Sequence, residues 1–498
     1  MKGYVLFFAL LLTIPAQGAQ FAGLVPGETY RVSLDGFEIG NQTATDGTLA
    51  VELPAGMHLL ALVPSGQNLD PDPDSDPDPN ADPSGLELFV AGYDDLAGSN
   101  RFEVLDRTGK SLTGTVRVLQ DVSREADLAA ADLNGDGTLE VVAAGYHETM
   151  GVVVEYWNGQ GQKLHRIDGV FSTGFDAENW LLTGNLDGQP GNETILLGRD
   201  PEGAYQVKAY DFSGTGVADY QALETGFSGI ESLFAADVDG DGAEEVVVFA
   251  KKTDGVIALS VLGMNSVKSS ALVFGSDYTG ATTAFALDVN GDGTSEIAAL
   301  RKSGRSQSFR MLVLSGDGTI LMKKNLLRGK FEDNAAFAAA DLDGDGYDEI
   351  TALGRLAETG ENVIQVLDHD GKQILASAVL NPSCNGCTSN LFADVDGDGD
   401  KEIVVGGKDS LSGTVVYQVL DAEGALLSQG KAFETGSACD PALRSADLDE
   451  DGTDDLLVLC RNIEGRVGLE VREPLADALQ ASASLSLVPH WFETGNMI

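Results

Sequence analysis

From Leu86 to the C-terminus the chain alternates short apolar runs with clusters of Gly, Asp and Asn, without the periodicity of an amphipathic helix. The same order of segments recurs. An apolar run such as "FAAADLD" enters an acidic loop, and a strand such as "EIVVGG" leaves it. A third strand then closes on a turn, as in "YQVLDAEG", "IQVLDHDG" and "FEVLDRTG", and a last extended segment follows. Several of these last segments end on a shared tetrapeptide: "FSTG" at Phe171, "LETG" at Leu223, and "FETG" at Phe433 and Phe492. With the last acidic residue of each loop as a marker, the copies fall at Glu87, Glu140, Glu193, Glu245, Glu296, Glu349, Glu402 and Asp455. Their separations are 53, 53, 52, 51, 53, 53 and 53 residues. So constant a period, with four short strands in each copy, predicts an all-β fold, the β-propeller. Eight copies carry the last three strands and seven carry the first strand and loop. Eight blades are therefore expected, with the incomplete one finished by a segment from elsewhere, such as His58 to Val63. Seven blades with an overlapping closure is the alternative.

The polar and apolar pattern differs ahead of that array. Residues 19–64 alternate strictly in "YRVSLDGFEIG" and "GTLAVELPAGMHLLALV", bounded by Gly and Pro, which predicts a small β-rich accessory module. It resembles the sandwich modules that carry PEGA or carboxypeptidase-regulatory-like repeats. Residues 65–85, "SGQNLDPDPDSDPDPNADPSG", read as a stiff extended linker, since proline fixes φ and the aspartates repel one another. Residues 1–18 read as an export signal: Lys2, the apolar run from Tyr4 to Ile14, then Ala16-Gln17-Gly18. The mature chain is expected to be secreted, periplasmic or on the cell surface, with no transmembrane segment.

Charge narrows the partners. The net charge of −47, from 78 acidic and 31 basic residues in 498, repels phosphate backbones and anionic membranes, so nucleic acid is excluded as a partner. Cations are the natural ligands.

The acidic loops supply the chemistry. They run "DLNGDGTLE" (132–140), "NLDGQPGNE" (185–193), "DVDGDGAEE" (237–245), "DVNGDGTSE" (288–296), "DLDGDGYDE" (341–349), "DVDGDGDKE" (394–402) and "DLDEDGTDD" (447–455). Oxygen side chains stand at positions 1, 3, 5 and 9, and the position-7 carbonyl can join them. An all-oxygen set on a flexible loop suits a hard cation, Ca²⁺ ahead of Mg²⁺. Glycine at position 6 permits the fold-back. The position-12 residue of an EF-hand is apolar here, so the ninth residue opens the next strand and the ion pins a hairpin turn.

The pattern D-x-[DN]-x-[DN]-G-x-x-[DE] leading into a strand resembles the FG-GAP or VCBS repeats of integrin α-like propellers and secreted bacterial proteins. The resemblance implies about six structural Ca²⁺ sites. The first three would use Asp132, Asn134, Asp136, Thr138 and Glu140; Asp237, Asp239, Asp241, Ala243 and Glu245; and Asp288, Asn290, Asp292, Thr294 and Glu296. The other three would use Asp341, Asp343, Asp345, Tyr347 and Glu349; Asp394, Asp396, Asp398, Asp400 and Glu402; and Asp447, Asp449, Asp451, Thr453 and Asp455. In the remaining loop Asn185, Asp187 and Glu193 are a weak set, because Gln189 and Pro190 replace a charge and the permissive glycine.

Two further features stand out. Cys384, Cys387, Cys439 and Cys460 are read as two structural disulfides, since the surroundings suit neither a redox motif nor a four-cysteine zinc site. Six residues after each marker, cations recur at Arg199, Lys251, Lys302, Arg355, Lys408 and Arg461. They form either a ring for an anionic ligand or a set of local pairs, and local pairing is favoured. The five histidines (His58, His147, His165, His369 and His490) are scattered, and no nucleophile motif appears in a suitable context. The expected function is a non-catalytic binding or adhesion module for a protein or glycan. A lyase-like polysaccharide enzyme and a structural envelope component are the alternatives.

Overall fold

The computed structural model describes strand backbones between residues 10 and 94. It describes the chain with its side chains from 99 to 475, apart from short stretches that include 381–383, 385–388, 434–441, 448–450 and 462–466, and it also describes the strand backbone of Ala478–Ser484. The linker 65–85 and most of the expected export signal lie outside the described residues. The chain divides into two units, Met1–Pro83 and Ser84–Ile498. No helix of the described residues is long and apolar enough to cross a membrane.

In the first unit Thr29–Leu34, Phe37–Thr43 and Gly56–Pro64 form a sheet together with Leu10–Ile14, and Ala19–Ala22 pairs with Thr48–Val51. Gly56 to Leu60 pair with Leu10–Ile14, and Leu60 to Pro64 pair with Thr29–Leu34. His58 to Val63 therefore belongs to the sheet of its own unit and, among the described residues, pairs with no blade, contrary to the expectation that it finishes one.

The second unit is an all-β propeller. Among its described residues are seven antiparallel four-stranded sheets, each with strands in sequence order, and one sheet of three strands that begins at Leu88–Asp94. This gives the eight blades expected. One blade shows the logic of all. Phe227–Ala236 leads into an acidic loop, Glu245–Lys252 and Ile257–Leu262 follow, and Val267–Phe274 forms the outer edge. The second and third strands are near-continuous apolar runs because both their faces are covered. Each hydrophobic cluster spans two blades: Ile195, Leu197 and Val207 of one pack with Val246, Val248 and Ala250 of the next. Neighbouring blades also adjoin through their first strands, where small residues such as Ala338, Ala339 and Ala340 fit the convergence.

A recurring clamp closes four of the seams. Leu119, Leu327, Leu380 and Phe433 have φ of 47°, 48°, 57° and 51°, strained values for bulky residues. Their N–H groups donate to Glu155 Oε2 (2.9 Å), Gln365 Oε1 (2.9 Å), Gln418 Oε1 (2.7 Å) and Glu470 Oε1 (3.0 Å), each on the third strand of the next blade. Gln365 and Gln418 are the polar residues of the "IQVL" and "YQVL" runs, and Glu155 and Glu470 stand at the same place in "VEYW" and "LEVR".

Candidate metal loops and the blade seams

The ninth-position residue opens the second strand in every loop-bearing blade: Glu140, Glu193, Glu245, Glu296, Glu349, Glu402 and Asp455. Each lies directly across from the last residue of the first strand, as Ala236 does from Glu245 and Ala340 from Glu349. The eight intervening residues are therefore held at both ends by the same ladder.

Backbone N–H groups shape the interior of each loop. The Asp237 carboxylate accepts from Gly240 (2.7 Å) and Gly242 (3.0 Å), and Asp394 accepts from Gly397 (2.8 Å) and Gly399 (3.0 Å). Gly242 and Gly399 have φ of 87° and 94°, so glycine at position 6 is a conformational requirement. The position-9 carboxylate accepts the position-2 N–H: Leu133 to Glu140, Leu186 to Glu193, Val238 to Glu245, Val289 to Glu296, Leu342 to Glu349 and Val395 to Glu402, at 2.7–3.2 Å. These glutamates are buried. Burial pushes the carboxyls of Glu140, Glu193, Glu245 and Glu296 up. It carries Glu349 and Glu402 up to about 7, opposed by the N–H they accept and reinforced by the aspartates around them.

Carboxylate oxygens of Asp341, Asp343 and Glu349 come within 4.8 Å of one another, as do those of Asp394, Asp396 and Glu402. Asp341 Oδ1 is buried with no hydrogen-bond partner. An all-oxygen cradle with an orphaned buried carboxylate atom fits a hard divalent cation. Loops 132–140 and 288–296 carry asparagine at position 3, and its amide donates to the glutamate, Asn134 at 3.0 Å and Asn290 at 2.7 Å. Asp132, Asp136, Asp288 and Asp292 line these two loops as expected, and Thr138 and Thr294 cap the position-5 aspartates through their N–H groups.

Loop 185–193 departs as its sequence implies: the Asn185 amide is turned onto the Gln189 carbonyl at 2.8 Å, and Asp187 accepts from Gln189 N–H. In loop 447–455, Asp447 accepts from Asp451 and Gly452, and Asp451 accepts from Thr453; Asp449 lies outside the described residues.

Loop 237–245 is different. The ammonium of Lys268, on the outer strand of the same blade, lies 2.7 Å from Asp239 Oδ2, 3.3 Å from Asp241 Oδ2 and 2.5 Å from Glu245 Oε1. The carboxylates assigned to a metal here already hold a cation, so the donor set does not fit one. A second neighbour escaped the sequence reading. His369, in the turn above loop 341–349, stacks on Tyr347 at 4.5 Å and brings a ring nitrogen within 4.8 Å of Asp345 and Glu349 oxygens.

The loops also bind one another. The position-8 N–H of one blade donates to the position-1 carbonyl of the blade before: Asn192 to Asp132, Glu244 to Asn185, Ser295 to Asp237, Asp348 to Asp288 and Asp454 to Asp394, at 2.6–2.9 Å. Where position 8 is acidic, its carboxylate accepts the position-1 N–H in return, as in Glu244 with Asn185 and Asp454 with Asp394.

The recurring cations end the second strands, at the face opposite the loops. Arg199 donates to Phe227 O (3.1 Å), Lys302 to Phe331 O (2.7 Å) and Arg355 to Cys384 O, each in the segment entering the next blade. Tyr146 at the same position donates to Thr173 O. Lys251 pairs with Glu231 at 3.3 Å, Lys408 closes Glu402–Lys408, and the Arg461 side chain lies outside the described residues. Cys384 and Cys460 are buried, and Cys387 and Cys439 lie outside the described residues.

Residues 288–352 match the model of the FG-GAP-like repeat. No curated protein matches the chain. Among solved structures, the BP39L lectin of Burkholderia pseudomallei is similar at 12% identity and a TM-score of 0.42, over 71% of this chain and 97% of that one. The Dos1 propeller is similar at 12% identity and 0.40, over 81% and 86%, and the WD40 domain of fission yeast SCAP at 10% and 0.41, over 75% and 90%. The matched segment runs from the loop at Asp288 through Glu296–Ser303, Phe309–Leu314, Ile320–Leu326 and Ala336–Ala340 to the next acidic loop and the strand that leaves it, and so resembles one FG-GAP-like repeat within an eight-bladed β-propeller.

Proposed function

We propose that the chain is an exported, calcium-stabilised β-propeller that serves as a non-catalytic binding module for a protein or glycan. One observation carries the reading: equivalent loops, each with a buried acidic residue at position 9, are bonded blade to blade along one face. Divalent ions in these loops neutralise carboxylates that burial otherwise penalises, and so stiffen a platform built from like units. Two carboxylates in the metal-free cradles gain a proton near neutrality, the charge deficit that a bound cation removes.

A groove of about 500 Å³ between two blades offers a seat for a ligand, lined by Lys324, Asn325, Arg328, Gln365 and Gln373 among others. Gln365 is committed to Leu327 N–H and to Gln373 Oε1, which leaves Lys324, Asn325, Arg328 and the Gln373 amide as donors. In so acidic a protein, a cationic and amide-lined groove suits hydroxyl and carboxylate acceptors, the groups of an acidic glycan. A glycan array probed with the purified protein, in calcium and in chelator, tests the reading. Calcium-dependent retention that K324A/R328A weakens supports it. Unsaturated sugar products released from the array ligands would replace it with the lyase reading.

A further inference from the structure

Lys268 occupies the place that the loop motif reserves for an ion. Its three hydrogen bonds go to the side chains at positions 3, 5 and 9, while Asp237 at position 1 is spent on Gly240 and Gly242. An ammonium has three N–H donors, and here each has a carboxylate oxygen. A calcium ion sits at roughly 2.3–2.6 Å from its oxygens. Its centre would fall where Nζ lies, so the two cations exclude each other.

The blade is built for this lysine. In six of the seven loop-bearing blades the fourth strand has a bulge one residue after its start. The bulged residue is Leu164, Val217, Leu321, Ile374 or Leu427 in five blades, and Lys268 in this one. The residue that opens the turn after the third strand is Asn158, Asp211, Ser315, Asp368 or Asp421 in those same five blades, and Gly263 here. A Cβ at Gly263 would stand 2.7 Å from Lys268 Cε, so the missing side chain opens the path that the lysine stem follows. Two departures from the repeat, at 263 and 268, thus produce one contact.

We propose that Lys268 is the resident cation of loop 237–245, and that this blade excludes the divalent ion its otherwise complete motif specifies. The inference deepens the calcium reading given above and rests on it. Its consequence is local. Loop 185–193 has lost its motif, and the adjoining loop carries its own ammonium. Their seam, closed by Glu244 N–H to Asn185 O (2.6 Å) and Asn185 N–H to Glu244 Oε2 (2.8 Å), is therefore independent of calcium.

The test is bound calcium per chain, measured by elemental analysis after dialysis of the full-length protein against buffered Ca²⁺. K268M is expected to gain one equivalent over the wild type. E245Q is expected to leave the wild-type number unchanged, while E349Q, in a loop without a lysine, lowers it by one. An unchanged number in K268M, or the loss of one equivalent in E245Q, would overturn the proposal, and the second arm serves if K268M fails to fold. A wild type with no bound calcium would overturn the calcium reading together with this one. Several equivalents in the wild type and no gain in K268M would overturn this one alone.

Discussion

Asp288 and Asp348, on neighbouring blades, exchange two hydrogen bonds of 2.7 Å: Asp348 N–H donates to the Asp288 carbonyl, and Asp288 N–H donates to the Asp348 carboxylate. The pair ties one acidic loop to the next and lets the state of one affect its neighbour. Burial pushes the Asp348 carboxyl up, so its charge is a cost while its role as acceptor is a gain. Asp348→Ala strands the Asp288 N–H and is expected to cost about 1–3 kcal/mol. Asp348→Asn keeps an acceptor and removes the buried charge, so it should match or exceed the wild type in chelator. Urea unfolding of the three proteins checks this, and an alanine variant as stable as wild type would show the lock to be idle.

The left-handed residues at the blade seams make a second prediction. Leu327 holds φ of 48° with its N–H on Gln365. Equivalent positions elsewhere use Glu155 and Glu470, so a carboxylate serves as well as an amide. Gln365→Glu should retain stability, whereas Gln365→Ala removes the acceptor and should cost about 1–3 kcal/mol. Equal losses in the two variants would mean that side-chain volume, rather than the hydrogen bond, holds the turn.

A third prediction concerns pH in the absence of metal. Glu349 and Glu402 titrate near 7 in the folded chain against 4.5 ordinarily, chiefly because they are buried. A raised carboxyl binds its proton more tightly folded than unfolded. The penalty on folding is therefore full above pH 7 and is relieved as pH falls toward 4.5. In chelator, stability should rise on acidification from pH 8 to pH 5, and E349Q/E402Q should flatten that rise. Identical slopes for the two proteins would place the effect elsewhere.

Much of this was legible from residue order alone. The 53-residue spacing gave the blades, because each copy repeats the same strands and loop, and the marker at Glu349 or Glu402 opens its strand as its place in the motif requires. What escaped was whatever depends on a neighbour. Position 8 varies among Asn192, Glu244, Ser295, Asp348 and Asp454, and it acquires meaning only against the preceding loop. Lys268 lies 23 residues beyond Glu245 and enters the loop through a bulge that no local pattern marks. Arg199, Lys302 and Arg355 were visible as part of a series, but the carbonyls they reach are 28 or 29 residues further on. His58 to Val63 was misassigned because its alternation suits any sheet edge, and nearer partners in its own unit pair with it instead.

The central claim is that divalent ions in the acidic loops hold the blades together. With Kd near ~0.1 mM, ~1 mM calcium adds about 1.4 kcal/mol per loop, or roughly 7 kcal/mol over five independent loops. At an unfolding entropy of about 2.1 cal/mol/K per residue across roughly 410 residues, this corresponds to a melting shift of about 8 °C. The decisive measurement is the thermal melt of the purified protein at neutral pH in ~1 mM calcium and in excess chelator. The account predicts a melt lowered by about that amount in chelator and restored by added calcium; the same melting temperature in both buffers would contradict it.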